Sequence, residues 1–569
     1  MTIFQWFLVF LTIQIIHYLG TWKLYEKAGR KSWEAAIPIY NAIVLMKIIN
    51  RPTWYTLLLF LPVINLLIFP VIWIETLRSF GKNTTLDTFL GIATLGLYIY
   101  YINYTQDVSY IKNRNLTATT KVGDTVSSLV FAVVVATFVH TYFIQPFTIP
   151  TPSLEKSLLV GDFLFVSKFH YGARTPMTPI AAPMVHDTLP LLKIKSYTMW
   201  PQLPYFRFPA LQKIKNNDIV VFNWPADTLF NMYKNTNIRY DKPIDKKTNY
   251  VKRCVGIAGD SLQIKNGNIF INGKLSELPL RAKPQFFYTL ITKNPLDQSF
   301  LNNFGITETA TLFKIETKIF DNTVIQKFLV DNSVSLTEIQ RDATGVTVAL
   351  SNNFTQDLFD KLNLQSATNC TNINLTKEKF NELKQDPNVI SLKQYINAPS
   401  SEVFPKNQNL NWSIDNYGPI YIPKAGATVS LTPKSLPFYK KIITEYEGPN
   451  KVKVLGNDVF INDKKEATYT FKQDYFWMMG DNRHNSLDAR YFGYTPEDHI
   501  VGKPVFIWMS IDGINDGFKN WSIRWDRLFT TVSGEGQPQS YFKYFLIVLA
   551  LYFIGEYFWK KRKAKNTEF

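Results

Sequence analysis

The sequence predicts a membrane protein of mixed class, with an N-terminal α-helical transmembrane bundle followed by a mostly-β soluble domain. Two observations carry this prediction: apolar runs lie at both ends of the 569 residues, and short strand-like runs fill the middle. We expect the soluble domain to carry an α+β insertion and a C-terminal transmembrane helix to follow it. A chain of this length exceeds the size of a single core, so several domains are expected.

The apolar runs locate the candidate membrane helices. They are Ile3–Leu19, Ala35–Ile49, Trp54–Ile74, Leu86–Tyr104, Val126–Ile144 and Tyr541–Trp559. Each is expected to span the membrane except the second, which is short, contains Pro38 and favours a re-entrant or interfacial helix. The first lacks a basic start and a small-residue cleavage site, so it predicts an uncleaved helix. Pro62 and Pro70 should kink the third.

Basic residues set the expected orientation in the membrane. The last apolar run is followed at once by KKRKAK, and residues 23–31 and 112–121 are also basic. The positive-inside rule places these segments in the cytoplasm and the soluble domain on the other side. The net charge of +17 fits an anionic membrane surface. We see no aromatic-plus-basic motif for nucleic acid and predict no nucleic-acid partner.

The soluble part alternates short β-branched or aromatic runs with Gly, Asp and Asn, which is typical of a β-rich domain. Two related segments, GNIFINGK at 267–274 and NDVFINDK at 457–464, each predict a hairpin. The residues between them have a different composition and predict an inserted domain. The expected limits are 1–110 for the multi-span region, 126–145 for the helix entering the soluble domain, 146–275 and 450–512 for the β framework, 276–449 for the insertion and 541–559 for the last helix.

Cysteine and histidine are scarce. Cys254 and Cys370 are the two cysteines, and the six histidines show no ligand-like spacing. No disulfide framework, structural zinc site or other metal site is predicted.

Three stretches contain candidate catalytic residues. In FTIPTPSLEKSLLVGD and the residue before it, Pro146, Pro150 and Pro152 stiffen the approach to Ser153, which suits an exposed nucleophile. In YVKRCVGIAGDSLQI, Lys252 lies within an apolar strand, where loss of water lowers an amine's pKa and lets it act as a base. A surface serine and a lysine that extends to solvent are the ordinary alternatives.

The third stretch is GDNRHNSLDARYFG at 480–493. Its Gly, Asp and Asn residues favour tight turns, and its alternating acids and bases can pair to hold a loop rigid. A solvated charged loop is the alternative interpretation.

Taken in order, PTPSLEKSLLVGDFLFVSK, YVKRCVGIAGD and MMGDNRHNSLDARYFG resemble the signature boxes of bacterial type I signal peptidases (leader peptidases), which are serine proteases with a Ser–Lys dyad. NNDIVVFNWP at 216–225 resembles the strand box between the first two. The resemblance covers the helix before the soluble domain and the β framework. It leaves out residues 1–110 and most of the insertion.

The resemblance implies a role for each matching residue. Ser153 would be the nucleophile and Lys252 the general base, while Thr151 and the backbone N–H of Ser153 would hold the oxyanion. Ser486 would orient the Lys252 amine. Arg253 with Asp481, and Asp488 with Arg490, would form ion pairs behind the site.

The sequence departs from the family pattern at several positions. Leu154 replaces a usual Met, Ala258 replaces a usual Pro, and His484 stands where Asp is common. Lys156 and Ser157 stand where Pro and Thr are usual, which should loosen the turn after the nucleophile.

The resemblance implies a membrane-bound endopeptidase that cleaves signal (leader) peptides from exported preproteins through an acyl-enzyme, with no metal or cofactor. Its expected place is the bacterial cytoplasmic (inner) membrane, with the catalytic domain periplasmic. Preproteins, membrane lipid and protein-export machinery are the implied partners. A membrane-anchored assembly or chaperone protein and a related Ser–Lys autoprotease are the alternatives.

Overall fold

The computed structural model describes residues 2–117, 120–190, 192–230, 239–332, 334–350, 354–407, 409–534 and 536–567. Helices dominate the N-terminal region, β-strands form the body of the soluble part, and one long helix ends the chain. The mixed fold class that the sequence predicts is therefore confirmed.

The helices before the soluble domain pack around one apolar cluster that includes Tyr25, Met46 and Ile64. They are α1 (Ile3–Lys27), α2 (Tyr40–Ile48), α3 (Ile64–Ser79), α4 (Thr85–Ala93), α5 (Tyr98–Thr105) and α6 (Lys121–Tyr142). Within the described residues, three helices are long and apolar enough to cross a membrane: α1, α6 and the C-terminal helix at Phe542–Arg562. The predicted interfacial run 35–49 contains α2, most of which is buried in this cluster.

The prediction of one spanning helix over Trp54–Ile74 is wrong. The segment forms a 3-10 helix at Thr53–Phe60 and then the separate helix α3. The break falls at Pro62, where a kink was expected, and at Val63, whose φ of 70° is left-handed and cannot continue a right-handed helix. Pro70, in contrast, lies inside α3 without ending it.

The run Leu86–Tyr104 is also not one straight helix. It forms α4 and α5, which meet at an angle of 118° and make either a broken span or a re-entrant loop. Leu95 and Gly96 between them have φ of 52° and 84°, and this left-handed backbone cannot continue a right-handed helix.

A nine-stranded antiparallel sheet forms the framework of the soluble domain. In space its strands run β1-β2-β22-β3-β4-β20-β21, with β23 and β24 also paired to β22. The strands are β1 (Ile144–Thr148), β2 (Asp162–Ser167), β3 (Ile219–Asn223), β4 (Asn249–Gly256), β20 (Tyr475–Met479), β21 (Thr495–Pro496), β22 (Ile500–Asp512), β23 (Ser522–Ile523) and β24 (Thr530–Thr531). Segments far apart in the chain thus become neighbours, and this places the three sequence boxes together.

Smaller sheets flank this framework. They run β14-β5-β6-β7, β16-β17-β18 and β15-β19. Their strands are β5 (Ser261–Lys265), β6 (Asn268–Ile271), β7 (Lys274–Leu275), β14 (Tyr417–Tyr421), β15 (Thr428–Ser430), β16 (Val452–Leu455), β17 (Asp458–Ile461), β18 (Lys464–Lys465) and β19 (Thr468–Thr470). The two related segments form the hairpins β6–β7 and β17–β18, as predicted. Strand β14, which starts at Tyr417, pairs with β5, so the chain returns to the framework before the predicted end of the insertion at residue 449. The limits 276–449 stay a prediction.

A second large sheet lies within the predicted insertion. Its order is β10-β11-β9-β12-β8-β13. The strands are β8 (Gln285–Thr292), β9 (Thr309–Ile315), β10 (Leu336–Asp342), β11 (Gly345–Leu350), β12 (Gln365–Thr376) and β13 (Val389–Gln394), accompanied by α7 (Gln298–Asn303), α8 (Thr317–Phe320), α9 (Thr323–Asp331), α10 (Gln356–Lys361) and α11 (Lys377–Leu383). This sheet has two apolar clusters of its own, so it can fold around a core separate from that of the framework. The remaining helices are α12 (Leu436–Lys441), α13 (Ala489–Phe492) and α14 (Phe542–Thr567).

Candidate active site

Ser153 and Lys252 lie together at one end of the framework sheet. Ser153 is in a short 3-10 helix, Pro152–Leu154, that follows β1, whereas Lys252 is on the central strand β4 opposite Val220 of β3. The Lys252 Nζ lies 2.5 Å from the Ser153 Oγ. The structure therefore brings the first two predicted residues within hydrogen-bond distance across 99 positions of sequence.

The local sequence explains why both side chains are held in place. Pro152 suits the first turn of a helix, and the buried Leu154 anchors the turn in an apolar cluster that also contains Val221. Lys252 is also buried, at 4% exposed. The next residue on the same face of β4, Cys254, is fully buried in a second apolar cluster, the main core of the framework. The amine thus ends in a largely water-free setting beside the hydroxyl.

Burial controls the protonation of Lys252. Loss of water lowers the pKa of the amine to about 8, while nearby Asp488 acts in the opposite direction and Arg490 reinforces the decrease. A lysine with this pKa is neutral in a useful fraction of molecules near neutral pH. Chemically, such a pair can transfer a proton from a serine hydroxyl to an amine.

Two buried ion pairs stand behind Ser153 and Lys252. Arg253 makes a two-point contact with Asp481, with Nε–Oδ1 at 2.8 Å and Nη2–Oδ2 at 2.5 Å. Arg490 does the same with Asp488, at 2.9 Å and 2.7 Å. Burial, the largest single influence, would raise the pKa of each carboxyl, but the partner guanidinium together with other nearby cations and hydrogen-bond donors outweighs it, and the pKa lies below its usual value. Such forked contacts fix both distance and angle.

The loop at 480–493 also holds the backbone of the nucleophile turn. The Asn482 N–H donates to the Ser153 carbonyl at 3.1 Å, and its Nδ2 donates to the Pro152 carbonyl at 3.2 Å. Gly480 allows this close approach, because a Cβ there would lie 2.5 Å from the Ser153 oxygen and 2.3 Å from the Ser486 Oγ. Asn482 is a contact residue that sequence reasoning missed, although it lies inside the recognised box.

Among the residues that the structure describes, neither the Thr151 nor the Ser486 hydroxyl has a hydrogen bond. Thr151 is exposed and extended, with φ of −131° and ψ of 151°, two residues before Ser153. The Ser486 Oγ is buried and, among the described residues, has no hydrogen-bond partner. Their implied roles at the oxyanion and the amine stay predictions.

Ser157 and His484, two of the departures from the family pattern, have specific partners. The Ser157 Oγ donates to Asp481 Oδ2 at 2.6 Å and accepts the Lys283 N–H at 3.0 Å. The His484 Nε2 lies 2.8 Å from Asp415 Oδ1, and its Nδ1 accepts the Phe287 N–H at 3.0 Å. Both departures thus connect the catalytic loops to segments outside the resemblance.

The inserted sheet contacts the same loop directly. The Gln285 N–H donates to the Asp481 carbonyl at 2.8 Å, and the Arg483 N–H donates back to the Gln285 carbonyl at 3.0 Å. From β12, the Asn374 Nδ2 donates to the Asn482 Oδ1 at 2.8 Å and to Glu308 at 2.5 Å. A sequence signal for this contact is the three asparagines in TNCTNINLT, because asparagine is uncommon in β-strands.

Metal chemistry has no evident ligands here. In the part of the chain that the structure describes, no group of three His, Cys, Asp or Glu side chains is arranged to hold a metal ion.

Comparisons with known proteins agree with this geometry. Residues 122–302 and 422–509 match the family model of signal peptidase, peptidase S26, and residues 33–113 match a family of unknown function (DUF5684). The unmatched interval 303–421 contains most of the inserted sheet.

Individual relatives carry the same family name. Signal peptidase I of Buchnera aphidicola subsp. Baizongia pistaciae is 22% identical over 69% of this chain and 78% of that protein. Signal peptidase I of Helicobacter pylori is 22% identical over 72% of this chain and 92% of that protein. Signal peptidase I of Rickettsia typhi is 27% identical over 29% of this chain and 49% of that protein. Together with the family match and the fold, these relatives show that the chain is a peptidase and that its soluble domain is similar to the S26 family of signal peptidases.

Proposed function

We propose that this chain is a membrane-bound serine endopeptidase that removes N-terminal signal (leader) peptides from exported preproteins through a Ser–Lys dyad. The observation that carries the proposal is the 2.5 Å contact between the Ser153 Oγ and the buried Lys252 Nζ. A serine hydroxyl is a weak nucleophile and needs a base within hydrogen-bond reach. The signal peptidase I relatives supply the substrate class.

In the proposed reaction, the Ser153 Oγ attacks the carbonyl carbon of the scissile peptide bond while the neutral Lys252 accepts its proton. The Ser153 N–H and the Thr151 hydroxyl donate to the oxyanion of the tetrahedral intermediate. When the C–N bond breaks, Lys252 returns the proton to the leaving amine, which becomes the N-terminus of the mature protein. The signal peptide remains as an ester on Ser153.

The second half of the reaction uses the same groups. A water molecule attacks the ester carbonyl while Lys252 accepts one of its protons, and collapse releases the signal peptide as a carboxylic acid. Lys252 then returns the proton to Ser153. The ion pairs Arg253–Asp481 and Asp488–Arg490 keep the loop and strand in register, and we assign the Ser486 hydroxyl the role of orienting the amine.

We further propose that the catalytic domain lies on the periplasmic side of the cytoplasmic membrane, with the tail after α14 in the cytoplasm. The basic tail and the basic loops support this orientation. In this arrangement the dyad lies on the side on which preproteins emerge from export machinery. Protease added outside spheroplasts should digest the catalytic domain and spare a tag placed after residue 569; the reverse pattern would contradict the orientation.

Cleavage of a purified preprotein tests the activity itself. The full chain in detergent should cut a leader after a small-x-small motif, and Ser153→Ala and Lys252→Ala should each abolish the cut without unfolding the protein. Ser261→Ala and Lys265→Ala, on the exposed side of β5, are matched controls that should retain full activity. Cleavage by either dyad variant would contradict the proposed mechanism.

A further inference from the structure

A second site of concentrated charge lies away from the dyad, where α6 leaves the N-terminal region and the chain enters the framework. A cavity of about 140 Å³ opens there, between the end of α6, the residues after β2 and the turn before β4. This is several times the space that one water molecule needs. Its charged and imidazole lining residues are His140, Lys168, Arg174, His186, Asp245 and Lys246.

Three basic side chains thus face one cavity, and among the described residues the groups that they contact are uncharged. The Lys168 Nζ donates to the Thr141 carbonyl at 3.1 Å. Arg174 donates to the Asp498 carbonyl at 2.5 Å and to the Asn223 Oδ1 at 2.7 Å. The Lys246 Nζ lies 5.4 Å from the centre of the Tyr197 ring, and this lysine is 8% exposed.

The neighbouring carboxylates are engaged elsewhere. Asp245 is close enough to favour the charged forms of Lys168 and Lys246, but it accepts its hydrogen bonds from the backbone of Met177 and Thr178 and from the Thr178 hydroxyl. Of the other acids nearby, Asp187 pairs with Lys195 at 2.8 Å, and Asp498, which contacts the His499 ring at 2.6 Å and also acts on Arg174, does not line the cavity. The cavity lining itself therefore has three basic side chains and one carboxylate.

Such an excess is costly without a counter-ion, because buried charges are normally paired. Burial, reinforced by Arg174 and Lys246, lowers the pKa of Lys168 to about 7. An anion in the cavity would relieve the repulsion and receive hydrogen bonds from two segments, the residues after β2 and the turn before β4. Side chains that converge from separate segments form a three-dimensional donor set rather than a flat charged surface.

The position of the cavity indicates which anion is at hand. The 22 residues of α6 rise about 33 Å, close to the thickness of a bilayer's hydrocarbon core, about 30 Å. The C-terminal end of α6, with His140 and Thr141 at the cavity, therefore lies at the level of the lipid headgroups. Phosphate groups are the abundant anions at that level.

We propose that this cavity is a binding site for a phosphate group, held by Lys168, Arg174 and Lys246 at the junction of α6 with the soluble domain. The phosphate belongs to a phospholipid headgroup or is free in solution. The site is separate from the dyad and does not depend on the proposed peptidase reaction.

Calorimetric titration of the full chain in maltoside detergent tests the proposal. The probes are inorganic phosphate and a short-chain phosphatidylglycerol below its micelle concentration, with sodium chloride at matched ionic strength and sodium acetate as controls. We expect saturable binding of phosphate, of the lipid or of both, with acetate weaker because it has one charge and two oxygens. Binding of the lipid alone identifies a headgroup site, and binding of inorganic phosphate alone identifies a site for the free ion.

Two variants and one matched control link the binding to the cavity. Lys246→Gln should weaken binding about tenfold, as expected when one charged hydrogen bond is lost, and Lys168→Met added to it should weaken binding further. Lys213→Gln removes the same charge from an exposed position outside the cavity and should change nothing. If Lys168→Met unfolds the protein, Lys246→Gln alone decides, because within the described residues the contact given for that amine is the Tyr197 ring. No saturable binding of either probe, acetate binding as tightly as phosphate, or equal binding by Lys246→Gln would overturn the proposal.

Discussion

The framework sheet and the inserted sheet use charge in opposite ways. Around the dyad, the carboxylates of Asp481 and Asp488 are fully buried with their arginines. In the inserted sheet and its helices, pairs such as Lys361–Asp357 are about two-thirds exposed. Exposed pairs contribute little to stability, whereas breaking a buried pair is strongly destabilising. The difference indicates that the framework's charges fix geometry and that those of the insertion mainly keep its surface soluble.

The inserted sheet is nevertheless not independent of the dyad. Its inner strands β8 and β12 hydrogen-bond to Asp481, Asn482 and Arg483, while β10 and β11 lie on the far side of the sheet. The insertion therefore contains strands that contact the loop 480–493, such as β8 and β12, and strands that lie away from it, such as β10 and β11.

The largest expected effect comes from removing one buried charge. Asp488→Asn keeps the shape of the side chain but leaves Arg490 buried without a counter-charge, so the free energy of unfolding should fall by about 3–5 kcal/mol. Asp357→Asn makes the same change in an exposed pair and should cost less than about 0.5 kcal/mol. Urea unfolding in detergent measures both values. Equal losses would show that burial does not distinguish the two regions.

A smaller effect should follow from crowding the nucleophile turn. In Gly480→Ala the new Cβ must push away the Ser153 carbonyl or Ser486, and a displacement of about 1 Å near a dyad can lower kcat about 100-fold. Gly555→Ala in α14 meets open space and serves as the control. Steady-state cleavage of a preprotein measures both. Normal kcat in Gly480→Ala would mean that the tight contact with Ser153 is not needed.

The smallest expected effect tests the contact between the inserted sheet and the loop. Asn374→Ala removes the amide that donates to Asn482, and Asn372→Ala on the same strand removes an amide bonded only to Thr289 within the insertion. Both asparagines are 5% exposed, so each change should lower stability by about 1–2 kcal/mol. Only Asn374→Ala should also lower kcat, by about three- to tenfold, with little change in KM. An equal kcat in the two variants would show that the insertion does not position the loop.

Local signals singled out Ser153 and Lys252 as candidates, the family resemblance paired them, and the structure places them within hydrogen-bond distance. Lys252 interrupts an apolar strand, prolines precede Ser153, and each lies in a recognisable box. The ion pair Asp488–Arg490 joins residues two positions apart, so it was also within reach. The partnership of Arg253 with Asp481 spans 228 positions and was predicted through the family resemblance alone.

The errors and omissions have physical causes. The run Trp54–Ile74 is apolar enough to span a membrane, but hydropathy does not report that Pro62 ends a helix there. The contacts of Gln285 and Asn374 depend on how two sheets pack, which no local pattern encodes. The resemblance implies that Ser486 orients the Lys252 amine, yet its hydroxyl has no hydrogen-bond partner among the described residues, so this role stays a prediction.

The pH dependence of kcat/KM tests most directly whether a desolvated Lys252 is the base. The neutral amine is the active form, and its pKa lies near 8 rather than at the usual 10.5 because the side chain is buried. We therefore predict that kcat/KM rises about tenfold per pH unit below 8 and becomes level above it, since this profile reports the free enzyme's base. A profile that is flat between pH 6 and 9, or that falls as the pH rises, would contradict the assignment of Lys252 as the base.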